Sequence, residues 1–159
     1  MPDSPTIRTL SSSSPDETCA LARRLAAHLR AGDVVLLSGD IGAGKTHFAR
    51  CVIQALLPMP EDVPSPTYTI VQTYPGPECE IWHLDLYRLL GPNEVFELGL
   101  VDVFETAICL IEWPDRLGDL APPPALRLDL ALDGAADARI LTFAWQSGDW
   151  SDRLNKAEI

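Results

Sequence analysis

Val34-Val35-Leu36-Leu37-Ser38 runs straight into Gly39-Asp40-Ile41-Gly42-Ala43-Gly44-Lys45-Thr46, and that junction decides the fold. A G-x4-G-K-T loop entered from a buried-looking strand and followed by a helical pattern is a cradle for the phosphates of a nucleotide. Its backbone N–H groups turn inward around the anion, and glycine lets the chain approach closely enough. Lys45 is the cation expected to reach the β- and γ-phosphates, and the Thr46 hydroxyl is the expected Mg²⁺ ligand. Both begin a helix whose free N–H groups and positive dipole end favour an anion. The expected nucleotide contacts therefore span Gly39, Asp40, Ile41, Gly42, Ala43, Gly44, Lys45, Thr46 and the adjoining His47.

The segments around this loop predict an α/β domain. Ile7 to Leu10 reads as a short strand. Pro15 to Arg30 reads as a helix, with Ser14 as N-cap, Glu17 three residues on, and Leu21, Leu25 and Leu29 forming the apolar stripe until Gly32. Lys45 to Leu57 is the helix after the loop, stopped by Pro58 and Pro60. Tyr68 to Tyr74 and Glu80 to Leu86 alternate as strands, and Pro75-Gly76-Pro77 between them predicts an antiparallel hairpin. Short helices are expected over Asn93 to Leu98 and Val101 to Glu105. Ala107-Ile108-Cys109-Leu110-Ile111 has the unbroken apolar character of a central parallel strand. Two further strands, Ala125 to Leu132 and Ala138 to Ala144, meet at Asp133-Gly134, and Leu126, Leu128, Leu130 and Leu132 mark one covered face. The expectation is one P-loop NTPase-like domain over 1–159, three layers around a mixed, partly parallel sheet, with a short polar tail from about 146.

Composition narrows the class. The chain has 159 residues, 47% of them hydrophobic, enough for one core. No charge-free run approaches the length of a membrane span, and Met1 to Ser14 lacks the basic and apolar order of a signal peptide. A soluble, cytoplasmic protein without a membrane role is expected. The balance of 12 Lys+Arg against 23 Asp+Glu, net −11, argues against salt-driven capture of nucleic acid by this chain alone. Cys19, Cys51, Cys79 and Cys109 show no close pairing in sequence and read as small buried apolar residues in a reducing compartment, with no zinc or iron–sulfur site.

A phosphate loop needs acidic partners to place Mg²⁺ and water. Asp85 follows the alternating Ile81-Trp82-His83-Leu84 run, and Glu112 ends the apolar strand at the edge where open α/β sheets hold ligands. Either carboxylate could hold the metal, and either could orient the attacking water. His83 reads as a structural histidine or one supporting a ligand, since no second His or Cys accompanies it. Thr67, in Pro64-Ser65-Pro66-Thr67, is either a switch that senses the γ-phosphate or Mg²⁺, or the cap of an edge strand. Trp113 either covers the site or packs the end of the sheet. Arg88 and Arg116 are candidate internal arginine fingers.

Four words in order, Gly39 to Thr46, Ser65-Pro66-Thr67-Tyr68-Thr69-Ile70-Val71, His83-Leu84-Asp85-Leu86-Tyr87-Arg88-Leu89 and Ile111-Glu112-Trp113-Pro114-Asp115-Arg116-Leu117, together resemble the bacterial TsaE (YjeE) family. The resemblance spans Thr18 to Leu117. It implies a compact ATPase that uses ATP and Mg²⁺ and works with two partner proteins. Together these install threonylcarbamoyl on adenosine 37 of tRNAs that decode ANN codons. The transfer itself belongs to a partner, ATP hydrolysis resets or licenses the complex, and contact with tRNA is indirect. By the same resemblance Lys45 and Thr46 bind phosphate and Mg²⁺, Thr67 falls in a switch-like segment, Asp85 lies near the metal, and Glu112 occupies a Walker B-like position. Where the usual loop continues with a second Thr, this chain has His47. Hydrolysis is expected to be slow without the partners. The residues by themselves leave a small-molecule kinase, or a nucleotide-dependent assembly module that does not hydrolyse, as alternatives.

Overall fold

The computed structural model describes residues 4–159. Residues 1–3, part of the stretch read for a leader, lie outside the described residues. The chain forms β1 (Thr6–Ser12), α1 (Pro15–Ala26), β2 (Val34–Ser38), α2 (Lys45–Leu56), β3 (Val71–Pro75), β4 (Glu80–Asp85), α3 (Pro92–Glu97), α4 (Leu100–Val103), β5 (Ile108–Glu112), a 3-10 segment (Pro114–Leu120), β6 (Leu126–Asp133), β7 (Ala135–Trp145) and α5 (Trp150–Lys156). Among the described residues no helix is long and apolar enough to cross a membrane.

One seven-stranded sheet has the order β1-β7-β6-β2-β5-β4-β3. Its centre, β6-β2-β5-β4, is parallel, with Leu36 beside Ile111 on one side and Arg127 on the other. The flanks are antiparallel: β1 and β7 extend one edge, and the β3–β4 hairpin closes the other. This is the mixed, partly parallel sheet of a P-loop NTPase-like three-layer fold.

The pleat sends alternate residues into two cores. Val35 and Leu37 of β2, with Ile108 and Leu110 of β5, pack under α1, α2 and α5. Val34 and Leu36, with Cys109 and Ile111, pack under α3, α4 and the 3-10 segment. Both faces of β2 and β5 are therefore covered, which is why these strands read as continuous apolar runs. In β6 the alternation is one-sided as expected through Leu130, but Leu132 lies beyond the covering layer at 64% exposed.

Several boundaries differ from the sequence reading. Helix α1 stops at Ala26 instead of Arg30. Ser14 Oγ does accept the Glu17 N–H, but the Glu17 carboxylate accepts from Ser13 N–H, one residue outside the expected box. Tyr68 to Ile70 form a turn, and β3 begins only at Val71, because Ile70 takes a positive φ of 68° and the chain is still curling back there. Cys19 and Cys51 are joined as a disulfide with a Cα–Cα distance of 5.4 Å, which corrects the reading of four free thiols. Their 32-residue separation hides the meeting, since it is made by the packing of α1 on α2. Cys79 and Cys109 are free, and burial pushes the Cys109 thiol up to about 12.

The C-terminal tail is also more than a polar end. Trp150, Leu154, Ala157 and Ile159 are buried in the first core. Arg153 forms a paired, buried bridge to Asp33, with Nη2 2.8 Å from Oδ1, and also donates to the His28 carbonyl at 2.9 Å. Asp33 in turn accepts the Arg30 N–H at 2.7 Å, so this pair fastens α5 to the turn that launches β2. Breaking a buried pair leaves a charge without compensation. Arg153→Ala should therefore lower unfolding free energy by about 3–5 kcal/mol; an Arg153→Ala chain with an unchanged urea midpoint would contradict this role for α5.

Candidate functional site

The strand-to-helix junction sets the floor of a cleft. Gly39 has φ 143°, and a Cβ there would stand 2.5 Å from the Leu130 carbonyl oxygen of β6. Only glycine fits where the loop leaves the sheet this close to its neighbour. The loop then turns through Gly44, also in the left-handed region at φ 106°, into α2. The cleft, of about 350 Å³, is lined by loop residues Ile41, Gly42 and Gly44, by Lys45, Thr46 and His47 of α2, and by Thr67, Asp85, Tyr87, Glu112 and Trp113 from other segments.

Parallel pairing explains why the acids arrive here. The register places Leu37 beside Glu112 and Asp85 beside Glu112, so β2, β5 and β4 end at one edge with both carboxylates on it. Glu112 is buried and divides its two oxygens. Oε1 accepts the Thr46 hydroxyl at 2.7 Å, and Oε2 meets His83 Nε2 at 2.7 Å. A carboxylate accepts, so His83 carries its proton on Nε2, and its Nδ1 is buried without a partner among the described residues. His83 thus orients Glu112, in agreement with the supporting role read from the sequence. Asp85 Oδ1 accepts the Tyr87 N–H at 3.0 Å, and its Oδ2 accepts the Thr67 hydroxyl at 3.3 Å.

Lys45 is buried with its ammonium among these acids. It donates to the carbonyls of Gly39 and Asp40, the latter at 3.1 Å, and sits 3.9 Å from the centre of the Trp113 ring. Burial lowers its pKa, while the charges of Glu112 and Asp85 pull the other way. The ring of Trp113 is presented by a positive φ of 58° immediately after β5, and it packs against Tyr87 with centroids 4.8 Å apart. Trp113 lines the cleft and also packs on the second core.

Thr67 lies in the turn before β3 and bonds Ser65 Oγ at 2.7 Å as well as Asp85, so it joins the site and does not cap a strand. His47 lines the cleft, yet its Nε2 is 2.9 Å from the Pro15 carbonyl of α1. Neither candidate arginine lines the cleft. Arg116 is held by the Leu89 carbonyl and Asp115, and Arg88 lies over Tyr68 at 5.9 Å.

Two residues of the neighbourhood escaped the sequence reading. Tyr87 stands inside the His83 to Leu89 word, and the signal was its place two residues after Asp85. Arg139 of β7 donates to the Ala43 carbonyl at 2.9 Å and braces the phosphate loop from 96 residues away, which no local pattern could announce.

Thr46, Asp85 and Glu112 together offer hydroxyl and carboxylate oxygens, the hard donors that suit Mg²⁺. A cation, loop N–H groups and an acceptor-rich edge in one cleft can hold a polyphosphate and orient a nucleophile beside it. Removal of the Glu112 carboxylate by Glu112→Ala leaves the buried His83 N–H unpaired and should cost about 1–3 kcal/mol. Glu112→Gln keeps an acceptor for Thr46 and should cost less, as urea titration of both variants would measure; equal losses would mean that the acceptor kept for Thr46 does not help to hold this edge.

A profile described as "Threonylcarbamoyl adenosine biosynthesis protein TsaE" matches residues 12–140, most of the chain. The tRNA threonylcarbamoyladenosine biosynthesis protein TsaE of Rickettsia conorii is 42% identical over 121 residues, covering 76% of this chain and 69% of its own. The protein of the same name from Bacillus subtilis is 36% identical over 130 residues, 81% of this chain and 80% of its own. The crystal structure of Bacillus subtilis YdiB is similar with a TM-score of 0.79 at 28% identity, covering 98% of this chain and 97% of that one.

Proposed function

The chain belongs to the TsaE family, and from that membership we propose that it hydrolyses ATP, with Mg²⁺, to support repeated turnover of a tRNA-modifying transferase complex. The product of that complex is N6-threonylcarbamoyladenosine at position 37 of tRNAs. Two other proteins supply the transferase, tRNA is met through them, and the setting is the cytoplasm. The observation that carries the reading is the meeting of Thr46, Asp85 and Glu112 beside Lys45 in a cleft walled by the phosphate loop.

Lys45 and the N–H groups of the loop bind the phosphates, and the first turn of α2 adds its dipole. The Thr46 hydroxyl and the carboxylates of Asp85 and Glu112 would hold Mg²⁺, which when bound neutralises charge on the transferring phosphoryl group. Glu112 is assigned to orient the attacking water, because its carboxylate is fixed from two sides by Thr46 and His83. Asp85 would share the metal, and its bond from Thr67 links it to the turn between Pro64 and Ile70, the candidate switch. Trp113 and Tyr87 pack together on the wall of the cleft, where their rings can flank a bound nucleotide. Among the described residues no arginine lines the cleft, and hydrolysis is proposed to be slow until the partners dock.

Two substitutions separate binding from chemistry. Lys45→Ala removes a charge-assisted contact and should weaken ATP binding roughly 10- to 100-fold. Glu112→Gln should leave ATP affinity within a few fold while turnover falls by at least about 100-fold. The decisive assay is threonylcarbamoyl transfer reconstituted over many turnovers with the partner proteins. Wild-type chain with ATP should sustain it, and a non-hydrolysable analogue or Glu112→Gln should stop it after the first rounds. Full modification by Glu112→Gln, with hydrolysis abolished, would instead assign the chain to the assembly modules, and a phosphorylated metabolite in place of released phosphate would assign it to the kinases.

A further inference from the structure

The disulfide at the α1–α2 contact has a third neighbour. His47 stands one turn before Cys51 on α2, with Nε2 3.9 Å from the Cys51 sulfur, and the donor atoms of Cys19, His47 and Cys51 all lie within 4.8 Å of one another. Two sulfurs and an imidazole are the donor set of thiophilic d¹⁰ cations such as Zn²⁺. In a tetrahedral site, legs of about 2.3 Å to sulfur and about 2.0 Å to nitrogen set those two atoms roughly 3.5 Å apart, near the separation found here. His47 and Cys51 share one helix face at i, i+4, and Cys19 enters from the facing helix. Both sulfurs are buried, while half-buried His47 gives the cluster a path to solvent.

We propose that the reduced form of this cluster is a binding site for one thiophilic divalent cation, held by the Cys19 and Cys51 thiolates and by His47 Nε2. A phosphine and one water reduce the S–S bond: the phosphorus takes the oxygen, the two electrons enter the sulfurs, and the two water protons complete the thiols. Cation binding then releases both thiol protons. Nε2 now donates to the Pro15 carbonyl, so its proton moves to Nδ1 and the imidazole remains neutral as it becomes a ligand. A protein oxygen or water completes the fourth position. Disulfide and metal are mutually exclusive occupants of the same sulfurs, so the site exists only under reducing conditions. It is separate from the hard oxygen donors of the cleft, although His47 follows Thr46 directly.

The experiment uses the full chain, reduced with a phosphine under argon, freed of reductant and titrated with Co²⁺ as a spectroscopic probe, then with Zn²⁺. One equivalent of Co²⁺ should give a thiolate-to-cobalt charge-transfer band that Zn²⁺ abolishes, and the same chain with its disulfide intact should give none. Cys19→Ser and Cys51→Ser should each weaken binding more than about 100-fold, beyond the loss expected of a merely supporting residue. Cys79→Ser should leave the titration unchanged. The comparison of reduced and oxidised wild type needs no substitution, so it decides even if a serine variant does not fold. Absence of the band in reduced wild type, its persistence in Cys19→Ser and Cys51→Ser, or its loss on Cys79→Ser would overturn the proposal.

Discussion

One buried carboxylate holds the working edge of this protein together. Glu112 gives one oxygen to the Thr46 hydroxyl at the start of α2 and the other to His83 in β4, so helix, β5 and β4 are tied at a single group. Such a group is costly to bury and is tolerated when its oxygens are satisfied. The consequence is a rigid carboxylate at the edge of the cleft: neither oxygen can turn without losing a charge-assisted bond.

That arrangement depends on parallel pairing. Because β2, β5 and β4 run the same way, their C-terminal ends share one edge, and the phosphate loop, Glu112 and Asp85 emerge there together. The antiparallel flanks serve the same edge by other means. The β3–β4 hairpin delivers the turn that carries Thr67 to Asp85, and β7 sends Arg139 to the back of the loop. The far end of the sheet is secured differently, by α5 and its Arg153–Asp33 bridge beneath the start of β2. The Arg153–Asp33 bridge and the cleft thus occupy opposite ends of one strand.

The legible parts of the sequence were those with local causes. The apolar runs of β2 and β5 announced buried parallel strands because both faces are covered, and Glu112 announced itself because it interrupts such a run. Asp85 stood out in the same way at the end of β4. Less legible were features made by distant partners. Cys19 and Cys51 meet only because two helices pack, so a search for close spacing missed them. The tail beyond 146 looked polar because its buried residues, Trp150, Leu154, Ala157 and Ile159, are interleaved with solvated ones on a short helix. Tyr68 has the composition of a strand, but Ile70 turns the chain before pairing can begin.

The amino-acid order by itself determined the strand–loop–helix unit, the placing of Lys45 and Thr46 at its turn, and the family to which the four words point, because each is a matter of neighbouring residues and their allowed geometry. Tertiary structure alone decided that Glu112 is shared by Thr46 and His83, that Trp113 lies over Lys45, and that α5 is locked to Asp33. Those are contacts between segments 29 to 120 residues apart. Their existence depends on strand order and helix packing, which no single stretch of sequence contains.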